Sequence, residues 1–587
     1  MQELTYDWEL SHLFKSEAEA KLEVEQLKQL YKRLPSFKGK LHDKNQVLKY
    51  YKLQEEIDQR ENLLMCYLAL RSSLNGTDVF YREIISDFSF FVREEMAPKI
   101  SFIAPELAKN NNLDLNTWRK DESFANYENL IEDIIENKKH ILPERLSSIL
   151  SQNSAWGGYE GAYDNLSVVD MKFGYLNTDN GREELTHASY LKFIRNKDQR
   201  VRKSAYEKMH SVYAGLNYTI GSLYLGSVKE TIFHSKIAKY KSVLHEVCKQ
   251  DKSDVRVLQK LIDVVNLNLD LYHRQLSLQK QALGVKNYFA YDTLLEFGEN
   301  DRKFNYQEAV DIVLESLSVM GEDYVSRLKK AVTSGWIDVY EKPAKTTGGF
   351  SLAVYGSHPY ILLNYTNNYN SVSTLAHELG HAMHSCYSSE NQNYYKSDCP
   401  IFTAEVASTV NEILLNRYMI EKAKTKKEKL FCVHQLLTTF SGTVFSQVMY
   451  SEFEKYVYDS LENQKPVLVE YLNNKWEELQ KKYSGGNVIY TKYSKFLWSE
   501  IPHFYSSYYV YKYATGFISA IIIANNLIGK KDGFLNKYLQ FLSSGCSEKP
   551  IDLLKAIDVD LTDKRTMQTA FDFFKNLLDE FEELTKE

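Results

Sequence analysis

Residues 377–381 read His-Glu-Leu-Gly-His, inside a stretch (SVSTLAHELGHAMH, 371–384) whose one acidic or basic side chain besides histidine is Glu378. Leu375, Ala376, Leu379, Ala382 and Met383 are apolar, so the stretch predicts a buried helix rather than a surface one. Histidines four apart share a helix face, with Cβ atoms about 5–6 Å apart. Both imidazoles of His377 and His381 therefore reach one metal ion at a Zn–N distance of roughly 2.0–2.1 Å. Glu378 then stands beside that metal, where it can take a proton from an attacking water. Gly380 costs about 1 kcal/mol of helix propensity against Ala. That cost makes sense if another backbone or a substrate comes close.

A catalytic zinc needs a third protein ligand and one open position. The metzincin pattern would need glycine at 384 and histidine at 387; the chain has His384 and Tyr387, which excludes that class. A carboxylate from a second helix is the remaining common solution. Downstream, IFTAEVASTVNEILLN (401–416) is apolar enough for a buried helix yet carries Glu405 and Glu412. Buried carboxylates are costly unless paired or bound to a cation. Glu405 is the candidate third ligand. Glu412 is either an orienter of a ligand histidine or a carboxylate bonded to a core Arg or Lys. Asp398 and Glu390 lie in a polar stretch that reads as loop.

Helical patterns run from end to end. Ser16 and Glu19 form a capping box ahead of a stripe of Leu27, Leu30, Tyr31 and Leu34. Phe574, Leu577, Leu578, Phe581 and Leu584 make another near the C-terminus. The β signal lies just before the HELGH segment, at Trp336–Tyr340, Phe350–Tyr355 and Tyr360–Tyr365. A small sheet there offers an edge for an extended peptide; equally it is a hairpin that covers the core. A chain of 587 residues exceeds one ordinary core. The polar, Gly-rich stretch 153–164 and the segment 177–183 mark the boundary region. The expected division is an N-terminal helical domain, 1–190, and a catalytic domain, 191–587.

Several motifs together carry a family resemblance: HELGHAMHS (377–385), FTAEVASTVNE (402–412), PHFYSSYYVYKYATG (502–516), GGF (348–350), YILLNY (360–365) and YDWELSHLF (6–14). The chain resembles the M3 zinc metallopeptidases, and within them the oligoendopeptidase F branch. The resemblance implies a mainly α, multi-helical zincin-like fold, with helical domains enclosing a substrate channel. It implies one Zn2+ per chain held by His377, His381 and Glu405, with Glu378 as general base. It implies that His503 and tyrosines in 505–511 bind substrate and stabilise the tetrahedral intermediate; Tyr508 and Tyr511 rank first, Tyr505 third. In the better-known mammalian relatives the segment after this histidine is longer and Gly-rich, whereas here it reads Phe504, Tyr505, Ser506, Ser507. The implied activity is cleavage of internal bonds in short, unstructured oligopeptides. The rival readings are a zinc carboxypeptidase or dipeptidyl carboxypeptidase, and a helical peptide-binding protein without catalysis.

The formal charge of −6 gives no electrostatic case for nucleic acid. Cys66, Cys248, Cys386, Cys399, Cys432 and Cys546 are scattered without a CxxC pair, which reads as free thiols in a reducing compartment. The opening residues lack a basic stretch followed by an apolar core, so no secretory signal is expected. The most apolar run, Phe517–Ala524, falls far short of the roughly 20 residues a bilayer requires. A soluble, cytoplasmic monomer is the expected form.

Overall fold

The computed structural model describes residues 3–151, 158–179, 181–298 and 302–586. It is multi-helical with two small sheets. Helix α1 (Glu17–Tyr31) starts where the sequence reads a cap: Ser16 accepts the Glu19 N–H. Glu19 reaches back to the Lys15 N–H at 2.6 Å, one residue before the position the capping box assigns. Helix α1 packs along α2 (Lys44–Leu74), and their buried faces head a core that runs from Leu10 to Ile131. A second, larger core begins at Tyr163 and extends to Phe581. The first core also takes in Val354 and Tyr360 at the second sheet. Of the Gly-rich boundary stretch, 153–157 lies outside the described residues; 158–164 is helical. Asn180, also outside them, sits between strands β1 (Tyr175–Thr178) and β2 (Gly181–Glu184), an antiparallel pair.

The three strands expected before the HELGH segment are present in shortened form: β3 (Ile337–Asp338), β4 (Phe350–Leu352) and β5 (Tyr360–Leu362). Their order is β3-β5-β4, with β3 parallel and β4 antiparallel to β5, so β4 is an edge. The first residues of the chain fasten this sheet. Trp8 Nε1 donates to Ile361 O at 2.8 Å and the Val339 N–H donates to Tyr6 O, which explains the YDWELSHLF motif structurally. Buried Lys345 adds an ion pair to Asp338 at 2.6 Å and donates to the carbonyls of Tyr340 and Leu363. Two buried charges are tolerable here because each is paired and hydrogen-bonded.

Next to the sheet, α3 (Tyr369–Asn391) carries the HELGH residues, and its start is capped by Asn368, which accepts the Ser371 N–H. It packs on α4 (Ile401–Lys422), which in turn packs on α6 (Tyr511–Ile528). Between them in sequence comes α5 (Gln447–Glu462), and α7 (Lys564–Thr585) closes the larger core. At the α3–α4 contact a Cβ on Gly380 would lie 2.6 Å from Ser408 Cα and 2.9 Å from Ala407 O. The close backbone that Gly380 implied is therefore α4. Asn411 Nδ2 donates to Ala376 O at 3.1 Å, and Asn411 Oδ1 accepts from the Tyr324 hydroxyl at 3.0 Å, which fixes the register of the two helices. No helix among the described residues is long and apolar enough to cross a membrane, and all six cysteines are free.

Because the obstructing atoms at Gly380 are backbone, G380A must push α3 and α4 apart. The expected cost is about 1–3 kcal/mol, read as a lower Tm, together with weaker metal binding because Glu405 moves with α4.

Candidate active site

One helical turn brings the His377 and His381 rings together, with Nε2 atoms 3.1 Å apart. Glu405 Oε2 lies 3.8 Å from each nitrogen. Ligands at roughly 2.0–2.1 Å from a tetrahedral ion stand roughly 3.3 Å from one another, so two nitrogens and one oxygen at these separations fit a single cation. The donor set, two imidazoles and a carboxylate, is one that suits zinc. Helix α6 backs the third ligand: a Cβ on Gly516 would lie in van der Waals contact with Glu405 Cβ at 3.5 Å. Ser408 Oγ donates to Glu405 Oε2 at 3.4 Å.

Glu412, seven residues on along α4, contacts His377 Nδ1 through its carboxylate and accepts from Ser373 Oγ at 3.5 Å. Of the two readings for this acid, the structure supports the partner of His377. Holding Nδ1 leaves Nε2 facing the cation position and fixes the ring plane. Burial works against charging His377, but the Glu412 carboxylate, with Glu378 and Glu405, outweighs it and holds the imidazole up to about 9. At His381 burial dominates, helped by His377 and His384, and pulls the ring down to about 3. Glu378 is 6% exposed. Burial pushes its carboxyl up to about 7; His377 opposes, and Glu405 and Glu412 add to the rise. Three carboxylates around two imidazoles leave an excess of negative charge that a divalent cation would neutralise.

Glu378 and His377 line two cavities at once, one of about 760 Å³ and one of about 450 Å³, which also share Gly349. The larger is walled by β4 on one side and by Asp58 and Asn62 of α2 on another, and it also reaches His381 and Glu405. The smaller runs past Ser373, Glu412 and Phe517. A Cβ at position 349 would meet Thr374 Cγ2 at 2.9 Å and Glu378 Oε1 at 3.4 Å, so glycine there keeps the passage over the acid open.

The 502–516 segment differs from its sequence reading. Tyr508 and Tyr511, ranked first as oxyanion donors, are each 1% exposed. The Tyr508 ring packs on Tyr458, with centroids 5.0 Å apart, and the Tyr511 hydroxyl lies beside Cys248 and Ser253. Tyr505 stacks on Tyr163. None of the three lines either cavity. The tyrosine beside His503 is Tyr513, whose hydroxyl is 3.2 Å from His503 Nε2. Tyr509 stacks on the same imidazole. Tyr513 lies within electrostatic reach of Glu405, because it precedes Gly516 by three residues and shares the helix face that meets α4. That spacing ahead of the Thr-Gly pair was the available signal. Burial holds His503 below its ordinary range, which keeps the ring neutral at pH 7.

The profile of Peptidase family M3 matches residues 192–573, and that of Oligopeptidase F matches 106–173. The chain belongs to peptidase family M3. Oligopeptidase PepF of Bacillus subtilis is 32% identical to this M3 peptidase over 98% of the chain and 87% of the relative. Group B oligopeptidase PepB of Streptococcus agalactiae is 30% identical over 99% and 97%. The crystal structure of oligoendopeptidase-F from Enterococcus faecium superposes with a TM-score of 0.78 at 27% identity, covering 96% of this chain and 98% of that one. This M3 chain is a metalloendopeptidase that hydrolyses oligopeptides, which removes the reading as a non-catalytic binding protein.

Loss of the acid behind His377 tests the electrostatic arrangement of this M3 site. E412A should weaken metal affinity by about 10–100-fold, measured by competition with a chelator, while the far-UV spectrum stays that of the parent.

Proposed function

We propose that the metal of this M3 endopeptidase is one zinc ion per chain, held by His377, His381 and Glu405, and that Glu378 is the general base for hydrolysis of internal peptide bonds. The observation that carries this is the convergence of two imidazole nitrogens and a carboxylate oxygen at ligand spacing, with a second carboxyl group, that of Glu378, in the same cavity. Zinc at such a site lowers the pKa of a bound water from about 15.7 toward about 7 and polarises the scissile carbonyl.

The rest is the work of side chains. Glu378 accepts the proton of the attacking water and returns it to the leaving amine. Burial pushes its carboxyl up, and a bound divalent cation would pull it down again, which leaves the carboxylate form a base requires. Glu412 keeps His377 oriented. The Tyr513 hydroxyl and His503 donate to the oxygen that becomes negative as the carbon turns tetrahedral. Tyr513 takes the role the sequence reading gave to Tyr508 or Tyr511. The extended peptide adds to the free side of β4, a main-chain recognition that tolerates many sequences. The two cavities that meet at Glu378 receive the chain on either side of the cut bond, which favours internal cleavage over release of terminal dipeptides. The absence of any strong basic patch fits peptides rather than nucleic acid as partners, and six free thiols fit a reducing, cytoplasmic setting. The working unit is proposed to be the monomer.

E378Q should retain stoichiometric zinc and lose turnover; cleavage at near the parental rate would remove Glu378 from the role of base. Among the tyrosines, Y513F should lower kcat by about 10²–10³, while Y508F and Y511F stay within about threefold of the parent. Product mapping on a ten-residue peptide by mass spectrometry should yield internal fragments; terminal dipeptides alone would favour the exopeptidase reading.

A further inference from the structure

The segment between His503 and Tyr513 turns on a left-handed residue that is not glycine. Tyr508 has φ of 51°, a conformation a residue with a side chain adopts only where its surroundings enforce it. The enforcing group is Glu454 on α5. Its Oε1 accepts the Tyr508 N–H at 2.6 Å, in a contact buried on both sides. Glu454 is 1% exposed, and its other oxygen is buried with no hydrogen-bond partner. It plays no part in the chemistry described above, and an acid at such a place is costly unless the contact it makes matters.

The surroundings of that contact are fixed from both sides. Ser507 Oγ and the Tyr458 hydroxyl are 2.6 Å apart, and the Tyr458 ring lies against Tyr508. Phe504 is wedged among Phe453, Trp476 and Tyr224, with the Phe453 ring at 5.3 Å. After the turn, Lys512 pairs with Asp251 at 2.6 Å in a largely buried contact. His503, Tyr509 and Tyr513 of this stretch pack on one another, and Tyr513 lies within electrostatic reach of Glu405. Their direction follows from where the chain turns, and the chain turns where Glu454 holds the amide.

We propose that Glu454 is a positioning residue for catalysis: by holding the Tyr508 N–H in the left-handed turn, it sets the placement of His503 and Tyr513 against the metal ligands. This rests on the reading of His503 and Tyr513 as oxyanion donors given under Proposed function. Burial pushes the Glu454 carboxyl up to about 8, opposed by the Tyr508 N–H and by Lys512. The acid is therefore mainly neutral at pH 7, and its contribution is an acceptor oxygen at a defined point rather than a charge. Glutamine supplies the same oxygen; leucine fills the same space without one.

E454L and E454Q in the full chain separate these cases. E454L should keep the helical spectrum and bind metal as the parent does. Its kcat should fall by about 10² with KM within about threefold. In the metal-free protein, amide exchange across 505–513 should speed up by about tenfold or more, a readout independent of activity. E454Q should stay within about threefold of the parent in kcat and leave exchange slow. The proposal is overturned if E454L retains kcat within that margin, if its 505–513 amides exchange as in the parent, or if E454Q falls as far as E454L. Should E454L not fold, E454D, which withdraws the acceptor by one methylene, takes its place with the same outcomes. If Y513F were fully active, the oxyanion reading would fail, while the exchange data would still report on the anchor.

Discussion

The contact between Gly380 and the Ser408 backbone is the constraint on which the site depends. Two helices whose backbones approach this closely cannot admit even a methyl group between them. Only at that separation does a carboxylate from α4 reach the imidazoles of α3 at ligand distance. The same closeness places Glu412 against the far nitrogen of His377. One missing Cβ thus serves two residues a helical heptad apart, one facing the cation position and one behind it.

Electrostatics then explains why so polar a cluster persists in a buried place. Glu378, Glu405 and Glu412 surround two histidines of which one favours the charged form and the other strongly resists it. Removing such groups from water is unfavourable unless their charges are compensated. The cluster is therefore poised for a cation, and metal binding contributes directly to the stability of the α3–α4 pair. Buried charge is paired at Lys345 with Asp338 and at Arg202 with Asp292. Among the described residues, the active cluster has no basic side chain besides its own imidazoles to balance its three acids.

Much of this was legible in the residues because the signals were short-range. A five-residue motif, a charge-free flank and a second apolar helix with two acids pointed to the three side chains that converge at ligand spacing, and β-rich runs gave all three strands of the sheet. Gly380 also announced a close backbone, though not which one. The resemblance named a run of tyrosines without saying which of them face the site, and the left-handed turn at Tyr508 breaks any common helical phase through that run. Side chains before and after that turn share no common face, so Tyr508 and Tyr511 enter the core while Tyr513 meets His503. The long-range acceptor that enforces the turn, Glu454, leaves no local trace in sequence.

Strand β4 is only three residues long. At roughly 3.3 Å per residue it spans about 10 Å, so a partner chain can form few ladder bonds there before the rim runs out. As the proposed docking edge, so short a rail would grip main chain whose N–H and C=O groups are free and would offer little to a segment already committed to its own sheet or helix. On that reading a preference for loose peptides over folded proteins would need no gate: it would follow from how little unpaired backbone the edge has to share.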